Sequence, residues 1–180
     1  MARQIALLRG INLGSRNRVS MPDLRAWLER DGYGEVRTLV QSGNIVLETG
    51  KQPATVEREL CKLLADELGL DVPVVVRTRD ELEDVIERNP FPHAVEHPKQ
   101  FQISFLSGEP SAEVVTMLAD GDFAPEEVAV SGREVYAWHP EGIQRSPLSK
   151  QLTDKKLGVT ATARNWNTVT KLLELADEAA

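Results

Sequence analysis

The sequence predicts an α+β protein built from two ferredoxin-like units (βαββαβ, the α-β plait), each with an antiparallel sheet, plus a linking helix and a C-terminal helix. The order strand, helix, strand, strand, helix, strand can be read twice along the 180 residues, once on each side of a proline-punctuated joint. Two hairpin segments also resemble each other, VQSGNIV at residues 40–46 and AVSGREV at residues 129–135. We therefore expect a first unit at residues 1–78, a linking helix and proline-rich joint at 79–99, and a second unit with the C-terminal helix at 100–180.

The first half alternates between strand and helix patterns. Ser20 is a typical N-cap, with a proline in the first turn of the helix that follows it, and Gly32 and Gly34 end that helix. Gly43 and Asn44 are the signal for a two-residue type II′ hairpin turn. The predicted strands are residues 4–9, 35–42, 45–49 and 72–77, and the later helices are residues 55–68 and 80–88.

The second half repeats this order. Gly132 and Arg133 predict a hairpin turn, and Ser146 with the proline after it predicts the start of a helix that ends at Gly158. The C-terminal helix is predicted from apolar residues that recur on one face. The predicted strands are residues 100–106, 127–131, 134–139 and 159–163, and the other two helices are residues 111–119 and 165–176.

Composition predicts a globular chain with a core of its own. Hydrophobic residues make up 41% and charged residues 27% of the chain, which suits one ordinary domain or two small ones. Residues 1–8 carry only a short apolar run, which is too short for a signal peptide or a membrane span. The single cysteine, Cys61, excludes an internal disulfide and multi-cysteine metal sites, and its helical spacing indicates a packed thiol. We expect a cytoplasmic protein without a membrane partner.

Charge is unevenly distributed along the chain. The formal net charge is -7, which argues against a nucleic-acid partner, because such partners are held through many phosphate contacts. Residues 1–22, however, carry four arginines and no acidic residue, and residues 142–173 carry six basic residues against Asp154. These two stretches are either solvated surface or the lining of a groove that attracts anions.

Topology predicts one candidate site at an edge of the first sheet. In a split β-α-β unit, the loop after the first strand and the hairpin between strands two and three lie at the same end of the sheet. The loop at residues 9–18 contains two glycines and three arginines, and it leads to a helix N-terminus, a combination that favours anions. The alternative is a polar loop whose glycines serve only for turning. The candidate ligand-binding residues are Arg9, Asn12, Ser15, Arg16, Gln41, Ser42 and Asn44.

A second candidate segment precedes the C-terminal helix at residues 160–168. Asn165 or Asn167 is expected to cap that helix, which places Arg164 beside its positive end. Capping alone explains most of the segment. The alternative is that Arg164, Asn165 and Asn167 add to the anion site.

Other chemistries find little support in the sequence. Tyr136 and Trp138, if they point away from the helices, would form an aromatic surface like that of RNA-recognition domains, but packing at the domain interface is the favoured explanation of these residues. His93 and His97 are four residues apart, but the prolines around them argue against a helical metal site, so we expect no metal. Neither the Walker pattern nor the dinucleotide fingerprint occurs, so no cofactor is predicted.

Three segments together resemble one known family. They are LLRGINLGSRNRVSMPDLRAWLERDGYGEVRTLVQSGNIVLET at residues 7–49, ERNPFP at residues 87–92 and TARNWNTVTKLLELA at residues 162–176. The chain closely resembles the bacterial family called domain of unknown function 1697. The resemblance implies two ferredoxin-like units and a cytosolic protein, and it implies no activity.

The function predicted from the sequence is a binding module for a small anionic ligand, a nucleotide or a phosphorylated metabolite, at the edge of the first sheet. The alternative is an enzyme that acts on a similar ligand, for which no general base, nucleophile or metal can be named. A nucleic-acid binder that uses Tyr136 and Trp138 is a further alternative, which the net charge disfavours. Self-association into a homo-oligomer is expected by default.

Overall fold

The computed structural model describes residues 1–178, which form two compact units. The first unit contains Met1–Asp84 and the chain from Lys171, and the second contains Val85–Thr170. The C-terminal helix, which the sequence predicts to belong wholly to the second unit, is therefore divided between the two.

The first unit has the element order predicted from the sequence. Its sheet has the strand order β2-β3-β1-β4, and every neighbouring pair is antiparallel. Ser20 caps α1 by accepting a hydrogen bond from the amide of Asp23, as its position in the sequence predicts. The elements are β1 (Ala2–Leu8), α1 (Met21–Arg30), β2 (Gly34–Leu39), β3 (Asn44–Thr49), α2 (Pro53–Leu68), β4 (Val74–Thr78) and α3 (Arg79–Glu87).

The sheet of the first unit is buried on both faces. On one face, Ala6 and Leu8 of β1 pack in a core cluster with apolar side chains of α1 and α2. Ile5 and Leu7 point to the opposite face and are also buried. The central strands therefore read as continuous apolar runs rather than as alternating ones.

The second unit has a sheet of the same order, β6-β7-β5-β8, again with antiparallel pairs only. The two four-stranded antiparallel sheets with their helices confirm the predicted α+β fold class. A 3-10 helix, Pro92–Glu96, occupies the proline-rich joint. The elements are β5 (Phe101–Leu106), α4 (Ala112–Asp120), β6 (Glu127–Ser131), β7 (Glu134–Trp138), α5 (Asp154–Leu157), β8 (Ala161–Asn165) and α6 (Trp166–Asp177).

The first hairpin differs from the prediction. Its loop has four residues, 40–43, because Leu39 pairs with Asn44 in the sheet. The side-chain amide of Asn44 also donates to the Leu39 carbonyl at 3.0 Å. Gly43 is needed for a close approach to β1, since a Cβ there would lie 2.6 Å from the Cβ of Leu8. The predicted two-residue turn at Gly43 and Asn44 is therefore wrong. The second hairpin does turn at Gly132 and Arg133.

The helix predicted at residues 146–158 is also wrong. The segment contains a 3-10 turn, Ser149–Gln151, followed by the short helix α5, which begins after Thr153 and ends at Gly158. Ser146 starts only a short turn: its hydroxyl oxygen accepts from the Ser149 amide at 2.9 Å, but the turn ends at Gln151, and Thr153 then caps the separate helix α5.

None of the helices in residues 1–178 is long and apolar enough to cross a membrane.

Candidate functional site

The β1–α1 loop and the β2–β3 hairpin meet at one edge of the first sheet. The amide of Leu8 donates to the carbonyl of Gly43 at 2.8 Å, and the side-chain amide of Asn12 donates to the carbonyl of Gln41 at 2.7 Å. The expectation that these two segments leave the sheet at the same end is therefore confirmed.

The β1–α1 loop is folded on itself through hydrogen bonds. The amide of Asn12 donates to the carbonyl of Asn17 at 2.9 Å, and the side chain of Asn17 donates to the carbonyl of Gly10 at 2.8 Å. Gly10, Asn12 and Asn17 all have positive φ, a conformation that glycine and asparagine tolerate better than other residues. The sequence of the loop therefore favours this compact shape.

An open cavity of about 570 Å³ lies where this loop, the N-terminus of α1 and the hairpin come together. We call it the rim cavity. Its volume falls in the range of small-molecule sites, roughly 300–1,000 Å³. It is lined by Asn12, Arg18, Val19, Ser20, Met21, Pro22, Asp23, Trp27, Gln41 and Leu68.

The rim cavity is lined by charged groups of both signs and by neutral hydrogen-bonding groups. Arg18 is exposed, and its Nη1 donates to the carbonyl of Gly14 at 3.0 Å. A guanidinium has five N–H donors, and this contact uses one of them. Asp23 lies in the first turn of α1 and Gln41 lies in the hairpin, so the cavity wall holds one cation, one anion and several neutral polar groups.

Of the seven residues predicted for the first sheet, Asn12 and Gln41 line the rim cavity. Both polar groups of the Asn12 side chain make hydrogen bonds. Its NH2 group donates to the carbonyls of Val19 and Gln41, and its oxygen accepts from the backbone amide of Val19. Asn12 thus holds the loop to the hairpin.

The other predicted residues of this edge lie outside the rim cavity. Asn44 is fully buried, and its amide donates to the Leu39 carbonyl and to Ser42 Oγ at 2.9 Å. Its side chain therefore stabilises the hairpin and faces away from solvent. Ser15 and Arg16 are exposed at the tip of the loop, Arg9 is half-buried at the end of β1, and Ser42 is exposed in the hairpin.

The three residues predicted near the C-terminal helix belong to the second unit. Asn165 caps α6, because its Oδ1 accepts from the amide of Thr168 at 2.9 Å. Arg164 donates to Thr162 Oγ1 at 2.9 Å, and burial lowers the pKa of Arg164 to about 10. Asn167 is half-buried in the first turn of α6.

Eight of the ten residues that line the rim cavity were not predicted from the sequence as site residues, among them Arg18 and Trp27. Arg18 lies two positions before the N-cap Ser20, and this proximity to a helix start is a signal that could have selected it over Arg16. Trp27 follows the apolar spacing of α1, which indicates a core residue. It packs against the core and also lines the cavity.

The second unit contains a buried polar cluster of Glu126, His139 and Ser146. His139 Nδ1 lies 2.5 Å from a carboxylate oxygen of Glu126, and the Ser146 hydroxyl donates to that same oxygen. Burial by itself would raise the pKa of Glu126, but hydrogen bonds from Ser146, His139 and the Leu148 amide outweigh it and lower this pKa.

This cluster is not arranged as a nucleophilic triad. In such a triad, the carboxylate and the hydroxyl contact opposite nitrogens of the imidazole. Here both Glu126 and Ser146 Oγ lie near Nδ1 of His139, at 2.5 and 3.1 Å, and Ser146 Oγ also accepts from the Ser149 amide. The cluster therefore holds the β7–β8 connection to the start of β6.

The aromatic surface considered for Tyr136 and Trp138 is buried. Tyr136 is fully enclosed, its hydroxyl donates to the Val85 carbonyl at 2.6 Å, and its ring stacks on that of Phe101. It lies on the same face as Phe101, because Ile103 is its partner in the sheet. Bases cannot stack on this surface.

The described part of the chain contains no cluster of metal-binding side chains. Within residues 1–178, no group of three His, Cys, Asp or Glu side chains could hold a metal ion. His93 Nε2 instead lies 2.6 Å from the Glu127 carboxylate, and the rings of His93 and His97 both contact Trp138.

The fold defines an α+β protein with two four-stranded antiparallel sheets. Within that class, the chain belongs to the family of proteins of unknown function DUF1697, whose model matches residues 1–136. Its structure is similar to that of the conserved bacterial protein SP0830 from Streptococcus pneumoniae, with a TM-score of 0.76 and 21% sequence identity. This similarity covers 98% of the present chain and 99% of the other, and it shows the shared fold alone. A search of curated proteins finds no match.

Proposed function

We propose that this protein is a cytosolic binding module for a small anionic ligand, a nucleotide or a phosphorylated metabolite, and that the ligand occupies the rim cavity. The observation that supports the proposal is the cavity of about 570 Å³ where Arg18, the N-terminus of α1 and the hairpin residue Gln41 meet. An exposed guanidinium beside a helix N-terminus is a favourable environment for a phosphate group.

The surrounding structure supports a preorganised site. The Asn12 side chain closes the loop on itself by donating to the Val19 carbonyl at 3.0 Å and joins the loop to the hairpin by donating to the Gln41 carbonyl at 2.7 Å, so two walls of the cavity are held in place before any ligand arrives. Preorganisation lowers the entropy lost on binding. The chain has a single cysteine, the half-buried Cys61, so no disulfide can form within the chain. This agrees with a cytosolic location, where thiols stay reduced.

The proposal is tested by titrating the protein with ribose 5-phosphate in a calorimeter. We expect saturable binding in the wild type and a loss of affinity of about 10- to 100-fold in Arg18→Ala, because a hydrogen bond to a charged group contributes roughly 1.5–3 kcal/mol. Arg58→Ala is the matched control, since Arg58 is an exposed arginine on α2 of the same unit and outside the cavity lining.

Two outcomes would contradict the proposal. One is the absence of binding of ribose 5-phosphate and of other phosphorylated small molecules to the wild type. The other is equal affinity in wild type and Arg18→Ala, which would place any anion site elsewhere.

A further inference from the structure

The rim cavity has an apolar wall that a phosphate group alone would leave uncovered. Val19, Met21, Pro22, Trp27 and Leu68 form this wall, while Arg18 and the other polar residues form the rest of the lining. An inorganic anion or a small phosphorylated sugar needs only the polar part. Pockets that combine an apolar wall with a few polar groups typically hold ligands that have both an apolar and a polar end.

Trp27 is the aromatic residue of the apolar wall. It is half-buried, whereas the other two tryptophans of the chain, Trp138 and Trp166, are 9% and 8% exposed. A partly exposed indole in a cavity is suited to stacking on a planar ring, and every nucleobase has such a face.

The charges of the lining restrict the anionic part of the ligand. Of the residues that line the cavity, Arg18 carries the positive charge and Asp23 the negative charge. One phosphate group can pair with Arg18, but a chain of phosphates that reached Asp23 would be repelled by its carboxylate. A carboxylate accepts hydrogen bonds, so the end of the ligand near Asp23 has to donate them, as amino and hydroxyl groups do.

We propose that the ligand of the rim cavity is a nucleoside monophosphate, with its base stacked on Trp27, its phosphate on Arg18 and a donor group of the base or sugar directed to Asp23. This inference rests on the proposed function, because it names the class of ligand for the same cavity. Base stacking distinguishes it from a phosphorylated sugar.

The test compares AMP with ribose 5-phosphate, which lacks the base, by calorimetry and by tryptophan fluorescence. We expect AMP to bind about tenfold or more tightly than ribose 5-phosphate and to quench part of the tryptophan emission. Trp27→Leu is expected to abolish this difference in affinity, while Trp27→Phe keeps most of it because phenylalanine also stacks.

The possible outcomes separate this inference from the proposed function. If AMP and ribose 5-phosphate bind equally well and Arg18→Ala weakens both, the anion site stands and the nucleotide inference is overturned. The same conclusion follows if AMP keeps its advantage in Trp27→Leu. If neither compound binds the wild type, the proposed function fails and this inference fails with it. Trp27→Phe guards against loss of folding, because it removes little of the side chain that packs on the core.

Discussion

Val40, in the loop of the first hairpin, has a backbone conformation that is unfavourable for its side chain. Its φ is 51°, in the left-handed region, and the residue is 61% exposed. β-branched residues rarely adopt this region because their Cβ substituents crowd the backbone. An exposed side chain gains little from packing, so the hairpin geometry imposes this conformation on Val40.

Replacing Val40 with glycine is therefore expected to stabilise the first unit. Relief of the left-handed strain contributes roughly 1–2 kcal/mol, and the greater entropy of glycine in the unfolded chain removes roughly 0.5–1 kcal/mol, so a net gain of about 0.5–1 kcal/mol is expected. Urea unfolding of Val40→Gly and wild type measures the difference. Val130→Gly, in the middle of β6, is the control and should destabilise. A loss of stability in Val40→Gly would show that the valine side chain stabilises the hairpin.

At the scale of elements, the first part of the connection between β7 and β8, before its 3-10 turn and α5, is held by hydrogen bonds to Glu126. The Glu126 side chain is 7% exposed and accepts hydrogen bonds from Ser146, from His139 and from the amide of Leu148 at 3.2 Å. These bonds lower the pKa of Glu126 below its ordinary value of 4.5 in spite of burial. The ionised carboxylate therefore stabilises the second unit.

The lowered pKa of Glu126 predicts how the free energy of unfolding changes with pH. The unfolded chain takes up a proton at Glu126 near pH 4.5 and the folded chain only at lower pH, so this contribution is complete above about pH 5 and is lost as the pH falls through the lowered pKa. Glu126→Gln should lower the free energy of unfolding at pH 7 by about 1–3 kcal/mol and flatten its dependence on pH between 3 and 5. Chemical unfolding monitored across pH measures both effects.

Glu109→Gln is the control for this prediction, since Glu109 is exposed in the same unit. It should leave the free energy of unfolding and its pH profile within experimental error of the wild type. If Glu126→Gln kept the acid sensitivity of the wild type, other carboxylates would be responsible for it.

Elements defined by local signals could be predicted from the sequence, and elements defined by distant contacts could not. The serines that precede α1 and α4 both cap their helices, and the buried residues Val56, Leu60 and Leu64 of α2 follow the expected spacing. The predicted helix at 146–158 is instead a 3-10 turn and the short helix α5, in a segment that is held to Glu126, 20 positions before Ser146, by the Ser146 hydroxyl and the Leu148 amide.

The position of the candidate site could be predicted from the sequence, but only two of its lining residues, Asn12 and Gln41, were among those predicted. Sheet topology places the β1–α1 loop beside the hairpin, and this could be derived from the order of elements. The actual lining depends on which side chains the folded loop turns outward. Arg18 and Trp27 line the cavity while Asn44 is buried, a difference that arises from the loop hydrogen bonds and the register of Leu39 with Asn44.

At the scale of the whole molecule, the negative charge of the protein favours a free nucleotide over a nucleic acid as the ligand. The chain has a formal net charge of -7. Of the four arginines in residues 1–22, Arg3 lies at the far end of β1 and donates to the Glu178 carbonyl beyond α6 at 2.7 Å. The remaining three, Arg9, Arg16 and Arg18, lie on the β1–α1 loop, which is a small positive surface on an acidic protein.

A single-stranded oligonucleotide of 12 residues is therefore expected to bind no more tightly than AMP at 0.15 M salt. Beyond the three arginines of this loop, further phosphates meet a protein with a net charge of -7, so most of the additional charges contribute no attraction. Fluorescence anisotropy of a labelled oligonucleotide, with unlabelled AMP as competitor, measures the two affinities under the same conditions. If the oligonucleotide bound at least tenfold more tightly and its affinity fell steeply between 0.05 and 0.2 M salt, several phosphates would be in contact with the protein. In that case the three arginines of the loop would act as a nucleic-acid surface, and the rim cavity would hold only one nucleotide of a longer strand.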